Sequence, residues 1–206
     1  MVIVDCPDLS KVEQRLKNMK DRAPAALSNA INRAAQNVRS NMAKFSAARY
    51  LVKQKDIKAT VKQTKSTKGS LSAEVVSVSQ SKIDLYKFKA NPTKPKPKNP
   101  PKFYQSQVLR DSGLKELGGS KDRSKAFVAQ MASGHIGFFE RRLDANRSSP
   151  RAGRKEDQPI VELTGLAVPS MIGQKDNVEK IRQEGEKTLR DRLDHEIRRA
   201  LGATVR

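Results

Sequence analysis

The first quarter of the chain carries apolar residues that lie three or four positions apart. This stripe begins at Leu9 and continues to Phe45. The spacing predicts one long amphipathic helix or two shorter ones. Because Pro24 lacks an N–H group and clashes with a preceding helical turn, we expect a break near residues 21–23 and a second helix that Pro24 opens.

The middle of the chain changes to an alternating pattern. Between residues 70 and 88, apolar and polar residues alternate with one phase shift, which is typical of strands. Residues 126–131 and 136–140 flank a short link rich in turn-forming residues, and this arrangement predicts a hairpin. Residues 159–163 are a further candidate strand. A small, mostly antiparallel sheet is therefore expected here.

The last thirty residues return to a helical pattern. Asp176 and Glu179 have the spacing of a capping box, and Gly202 is a natural stop. A long C-terminal amphipathic helix is predicted, and its apolar stripe consists of Val178, Ile181, Leu189, Leu193, Ile197 and Leu201.

The order of these elements predicts the α+β class: long N-terminal helices, a small sheet and a long C-terminal helix. The chain has 206 residues, of which 36% are hydrophobic, so we expect a single domain over residues 1–206 with a modest core. Residues 91–101 contain five of the ten prolines, interleaved with lysines. This composition favours extended chain, and an exposed basic Pro-rich arm or loop is expected over about 91–125.

The charge of the chain indicates the kind of partner that it binds. Lysine and arginine number 42 against 22 acidic residues, a formal net charge of +20, and residues 49–69 and 91–125 supply twelve of these charges. Such a balance predicts attraction to an acidic partner, but charge alone does not choose between nucleic acid, anionic lipid and protein.

The stretch from Arg49 to Lys68 predicts a short basic helix, with Leu51, Val52, Ile57 and Val61 facing inwards. Its lysines are either phosphate contacts or a face that meets only solvent. The candidate partner-contact residues of the two basic stretches are Arg49, Lys53, Lys55, Lys58, Lys62, Lys65, Lys94, Lys96, Lys98 and Lys102.

Little in the sequence favours catalysis. Cys6 lies between Asp5 and Asp8, which disfavour a reactive thiolate. His195 adjoins two carboxylates and could act as a base or a ligand, but metal sites usually need three or four ligands, and a solvated helix histidine is the simpler interpretation. No phosphate-binding glycine loop is present. We expect no enzyme activity, no cofactor and no metal ligands.

The chain also lacks an apolar run near the length of about 18 residues that a membrane span needs, and no membrane partner is expected. Its start has no basic region followed by a long apolar stretch, so classical secretion is not expected either. The single cysteine fits folding in a reducing compartment.

Four segments, in this order and spacing, carry a resemblance to a known family. They are the helix Ala23–Ala35 with its Ala-Ile-Asn-Arg motif, the basic segment Tyr50–Val61, the strand Ala126–Met131 followed by Glu140–Arg142, and Pro159–Leu163 followed by Leu166–Ser170 and a charged helix. Over nearly its whole length the chain resembles the minor tail protein Z family of tailed bacteriophages.

The resemblance implies a structural virion protein without enzymatic activity, assembled in the host cytoplasm, that completes the head-proximal end of the tail and helps join tail to head. The expected partners are further copies of itself in an oligomeric ring, other tail and neck proteins such as the tail tube, tail terminator and head–tail connector, and the end of the packaged DNA. The alternative is a general nucleic-acid-binding protein that uses segments 49–69 and 91–125. An enzyme using His195 or Cys6 is a third hypothesis.

Overall fold

Two long helices dominate the architecture. In the computed structural model, which describes residues 2–4, 23–77, 82–95, 98–120, 124–144 and 158–200, helix α1 spans Ala23–Arg49 and the last helix spans Lys175–Ala200. The chain divides into two compact units. The helical unit comprises residues 1–46, 54–81 and 168–206, and the strand-rich unit comprises residues 47–53 and 82–167.

Helix α1 forms because alanine, the best helix former, recurs through it and Pro24 occupies its first turn. Helix α1 begins at Ala23 with Pro24 in its first turn, as expected, while residues 21 and 22 of the predicted break lie outside the described residues. The predicted helix over residues 9–22 lies outside the described residues. Small and branched apolar side chains make the buried stripe of α1 in the helical unit: Ala26, Leu27, Ala30, Ile31, Ala34, Ala35, Val38, Met42 and Ala43.

The basic stretch after α1 forms a shorter helix than the sequence predicts. Helix α2 spans Gln54–Thr60, and the chain turns into strand at Val61. Ile57 and Val61 are buried in the helical unit, as the inward-facing positions require, and Val52 is buried in the strand-rich unit.

A small sheet completes the first half of the helical unit. Its antiparallel strands are β1 (Val2–Val4), β2 (Val61–Gln63) and β3 (Ala73–Ser77), in the order β1-β3-β2. Ala73 and Val75 on β3 are buried, which is the alternation expected of a sheet with one covered face.

The C-terminal part of the helical unit begins with a short helix, α3, over Val168–Ile172. Helix α4 (Lys175–Ala200) follows, and the amide of Asn177 donates a hydrogen bond of 3.0 Å to the Met171 carbonyl. Residues four positions apart make its buried stripe: Asn177, Ile181, Gly185 and Leu189. The expectation that Val178 belongs to this stripe is wrong, because Asn177 takes the buried position and Val178 is 44% exposed.

Helices α1 and α4 approach closely at one point. A Cβ atom added at Gly185 would lie 2.8 Å from Cγ2 of Val38, which is shorter than ordinary carbon–carbon contacts. Glycine therefore allows the two helix backbones to pack more closely than any other residue at this position would.

The described residues of the strand-rich unit form three small antiparallel sheets. They have the orders β10-β9-β8, β11-β4 and β5-β6-β7. The strands are β4 (Lys82–Asp84), β5 (Lys89–Asn91), β6 (Gln105–Gln107), β7 (Lys115–Glu116), β8 (Phe127–Gln130), β9 (Ile136–Arg141), β10 (Ile160–Glu162) and β11 (Thr164–Ala167). The predicted hairpin is β8–β9, and the strand predicted over residues 159–163 is β10.

Leu163 connects two of these sheets through its backbone. Its N–H group donates to the Phe138 carbonyl (2.8 Å), and its own carbonyl accepts from Leu85 N–H (3.0 Å). The first bond extends the β10–β9 ladder and the second adjoins the β11–β4 pair.

Aromatic side chains form the core of the strand-rich unit. Phe138 is fully buried, and the rings of Tyr86 and Tyr104 pack edge-on against it at centroid distances of 5.5 and 6.3 Å. Edge-to-face pairs of this kind add about 0.5–1.5 kcal/mol beyond the burial of area.

The Pro-rich segment connects β5 to β6. Its described residues, 92–95 and 98–104, form neither helix nor strand. Tyr86 holds one end of the segment, because its hydroxyl donates to the Thr93 carbonyl. Burial raises the pKa of the Tyr86 hydroxyl, so the donor stays protonated at neutral pH.

The α+β prediction, with long helices at both ends and small antiparallel sheets between them, is confirmed.

We expect Ile197→Asp to lower the free energy of unfolding by several kcal/mol, because an unpaired carboxylate would replace a side chain that is 3% exposed. Val178→Asp on the same helix is the matched control and should change stability by less than about 0.5 kcal/mol. Urea denaturation followed by circular dichroism measures both. Equal losses in the two variants would contradict the burial pattern of α4.

We expect Gly185→Leu to destabilise the protein by about 1–3 kcal/mol, the usual cost of overpacking, although leucine is the better helix former. Gln183→Leu places the same side chain on the exposed face of α4 and should be close to neutral. Thermal unfolding of the two variants tests the close approach, and a Gly185→Leu protein as stable as the native chain would disprove it.

Candidate partner-binding groove and a histidine–carboxylate cluster

A groove lined by cations lies in the helical unit, between α1 and the chain around β2. Its volume is about 790 Å³. We call it the basic groove, and its lining residues are Asn29, Asn32, Arg33, Gln36, Arg39, Val61, Lys62, Gln63 and Lys65. Four of these residues are cations and none is a carboxylate.

The periodicity of α1 creates one wall of the basic groove. Asn29, Arg33 and Gln36 are three or four residues apart and therefore share one face of the helix. This polar face lies opposite the Ala-rich buried stripe, so the packing that holds α1 in place also exposes the face.

Side-chain hydrogen bonds to backbone attach the second wall to the first. The side-chain amide of Asn32 accepts from Ser66 N–H (2.8 Å) and donates to the Ser66 carbonyl (3.0 Å). Ser28 Oγ donates to the same carbonyl (2.9 Å). Ser66 is 4% exposed, and this anchoring fixes the backbone position of its exposed neighbour Lys65.

Arg39 adds a third attachment. Its Nη2 donates to the Lys58 carbonyl (3.1 Å), which ties α1 to α2. Its Nε is buried and has no hydrogen-bond partner among the described residues. Arg33, Lys62 and Lys65 are exposed cations. The basic groove can therefore receive an anionic group from several directions.

A second groove of about 590 Å³ runs between α1 and α4. It shares Arg33 and Gln36 with the basic groove, and α4 contributes Arg192, His195 and the carboxylate of Asp191. His195 is half-buried in this mixed surface, while its neighbour Glu196 pairs with Arg199 at 2.8 Å.

The structure distributes the predicted contact residues over both units. Lys62 and Lys65 line the basic groove, and Arg33 and Arg39 were missed because the prediction considered only the dense lysine stretches. Their spacing along one polar face of α1 was the available signal. The helical unit holds Lys55, Lys58, Lys62 and Lys65; the strand-rich unit holds Arg49, Lys53, Lys94, Lys98 and Lys102; and Lys96 lies outside the described residues.

The Pro-rich segment presents an exposed aromatic ring. Phe103 is 41% exposed, and the ammonium groups of Lys102 and Lys125 lie 5.3 and 5.6 Å from its ring centroid. Two cations and one exposed ring thus share a small patch of the strand-rich unit.

A histidine and two carboxylates meet elsewhere in the strand-rich unit. One ligand atom from each of Asp84, His135 and Glu162 lies within 4.8 Å of the other two, and His135 Nε2 is 2.5 Å from Glu162 Oε1. All three side chains are half-buried. We call this group the Asp-His-Glu cluster. Spacing along the chain does not predict it, because its members are far apart in sequence and meet only through strand pairing.

A family model described as prophage minor tail protein Z (GPZ) matches residues 9–206. The match defines the class first: the chain is a structural component of a phage tail. Within that class it belongs to the minor tail protein Z family, as the four sequence segments had indicated.

No curated protein and no solved structure matches the chain significantly. Among the described helices, none combines the length and the apolar character that crossing a membrane requires.

Proposed function

We propose that this tail protein completes the head-proximal end of the tail and helps to join tail to head, acting as an oligomeric ring and without enzymatic activity. Membership in the minor tail protein Z family supports the structural role. The observation that carries the proposal is the basic groove, a preformed cationic surface of the size that a protein segment needs.

The lining of the basic groove favours a protein partner with acidic side chains. Asn29, Gln36 and Gln63 add amide donors and acceptors beside the four cations. Guanidinium and amide groups together suit carboxylates and peptide backbone. No aromatic residue is among the described residues that line the groove, so they form no stacking platform of the kind typical of single-stranded nucleic-acid binding.

This surface and the family support particular partners. Tail tube, tail terminator and head–tail connector proteins are the candidate acidic partners. The mixed groove between α1 and α4 offers both signs of charge, which suits contact with another copy of the same chain in a ring. Arg49, Lys53, Lys55 and Lys58 are further contact candidates, and so are the lysines of the Pro-rich segment.

Nucleic-acid binding is the second candidate function, and Phe103 is the observation that favours it. An exposed ring between two lysines can stack on a base while the ammonium groups meet phosphates. On this hypothesis the contact is made in the strand-rich unit and touches the end of the packaged DNA.

Changing Arg33, Lys62 and Lys65 together to Gln should reduce infectious particles at least tenfold when the variant complements a phage that lacks this gene. The reason is the loss of three of the four cations of the basic groove. The matched control changes Lys175, Lys180 and Lys187, three exposed lysines of α4, to Gln and should complement normally. Electron microscopy of the particles then shows whether heads and tails fail to join.

The same variant separates protein contact from DNA contact. If the basic groove bound DNA, the slope of log affinity against log salt for the purified protein would flatten by about 0.9 for each lost phosphate contact. We expect weak DNA binding in native and variant protein alike. Tight, salt-sensitive DNA binding by the native chain, combined with normal particle assembly by the variant, would overturn the proposed protein contact.

A further inference from the structure

We propose that the Asp-His-Glu cluster is a binding site for a divalent first-row transition-metal ion. The cluster lies in the strand-rich unit, and neither the family nor the tail-joining role assigns it a task. One imidazole nitrogen and two carboxylate oxygens are a ligand set that such ions accept, and the imidazole disfavours Mg²⁺ and Ca²⁺.

The distances require only small side-chain movements. In a tetrahedral zinc site, with metal–ligand bonds of about 2.0–2.2 Å, the ligand atoms lie roughly 3.3 Å apart. Here the three atoms already lie within 4.8 Å of one another. The closest pair, His135 Nε2 and Glu162 Oε1 at 2.5 Å, would have to separate by somewhat less than an ångström, as the ion replaces the proton that they share.

Backbone hydrogen bonds hold the three ligand positions. Glu162 directly precedes Leu163, whose N–H donates to the Phe138 carbonyl. Asp84 directly precedes Leu85, whose N–H donates to the Leu163 carbonyl. His135 ends the β8–β9 turn, where its carbonyl accepts from Met131 N–H at 2.7 Å. The preceding Gly134 has a φ of +83°, a conformation that favours glycine. The ligands therefore stand on paired strands and a tight turn.

Two neighbours shape the space around the ligands. A Cβ atom at Gly137 would overlap the Glu162 carboxylate, so the absence of a side chain there lets the carboxylate reach His135. On its other side the His135 ring packs edge-on against Phe139, with ring centroids 6.4 Å apart and an interplanar angle of 90°. Both features fix the geometry of the His135–Glu162 pair.

The charge of the cluster matches a divalent cation. Two carboxylates beside a neutral imidazole carry a charge of −2. Among the described residues, the lysine or arginine that the structure shows paired with one of these ligands is Lys87, whose Nζ lies 3.0 Å from Asp84 Oδ2. The Lys87 side chain is 50% exposed and can turn into solvent. An incoming ion would displace it and take over the neutralisation of Asp84.

The test is isothermal titration calorimetry of the full chain after removal of metal with a chelator. We expect one equivalent of Zn²⁺ to bind and Mg²⁺ to give no signal at the same concentration. His135→Gln and Glu162→Gln should each weaken Zn²⁺ binding more than about tenfold, the cost found for losing even an outer-shell partner of a metal site. His195→Gln, the matched control for the other histidine, should leave the affinity unchanged.

Lys87→Gln gives a result that a random surface site would not show. Because this variant removes the cation that competes for Asp84, we expect tighter Zn²⁺ binding. Circular dichroism confirms folding of each variant, and Asp84→Asn provides the loss-of-ligand measurement if His135→Gln unfolds. Cobalt(II) substitution should give a visible absorption spectrum that His135→Gln abolishes.

The proposal fails if the native chain binds no Zn²⁺, if His135→Gln and Asp84→Asn bind it as tightly as the native chain, or if His195→Gln abolishes binding. Its failure is distinguishable from failure of the tail-joining role, because the Gln variant of the basic groove leaves all three cluster residues intact and should bind Zn²⁺ normally.

Discussion

The close packing of α1 against α4 is the constraint on which the helical unit depends. Alanines dominate the buried stripe of α1, and Gly185 of α4 meets Val38 without a side chain of its own. Small side chains bury little area each, so the stability of this unit must be spread over many small contacts. The same arrangement turns the polar face of α1 outwards, and both grooves of the unit are built on that face.

The strand-rich unit also has few apolar residues, but it forms its core from aromatic rings. Its strands are short, and the fully buried ring of Phe138 packs against the rings of Tyr86 and Tyr104. Most of the other described side chains of this unit are at least partly exposed. A protein that works by contact with neighbours benefits from this economy, because a small core leaves long connecting segments exposed.

The sequence predicted the elements better than it predicted the sites. Strong periodicity located α1, α4 and the β8–β9 hairpin, since their apolar spacing follows directly from helix and strand geometry. It misplaced Val178, because a buried Asn177 with its own hydrogen bond cannot be recognised from hydrophobicity. The basic groove was found only in part, through Lys62 and Lys65. The arginines of α1 and the Asp-His-Glu cluster depend on contacts between distant segments, which spacing along the chain does not reveal.

The two backbone hydrogen bonds of Leu163 affect how the strand-rich unit unfolds. Because one residue bonds in both directions, to Phe138 on one side and to Leu85 on the other, neither ladder can separate at this point without disturbing the other. We therefore expect these short strands to exchange their amide protons as one cooperative block rather than to fray one by one. A load applied at one of these sheets would therefore pass to its neighbour through the backbone of this one residue.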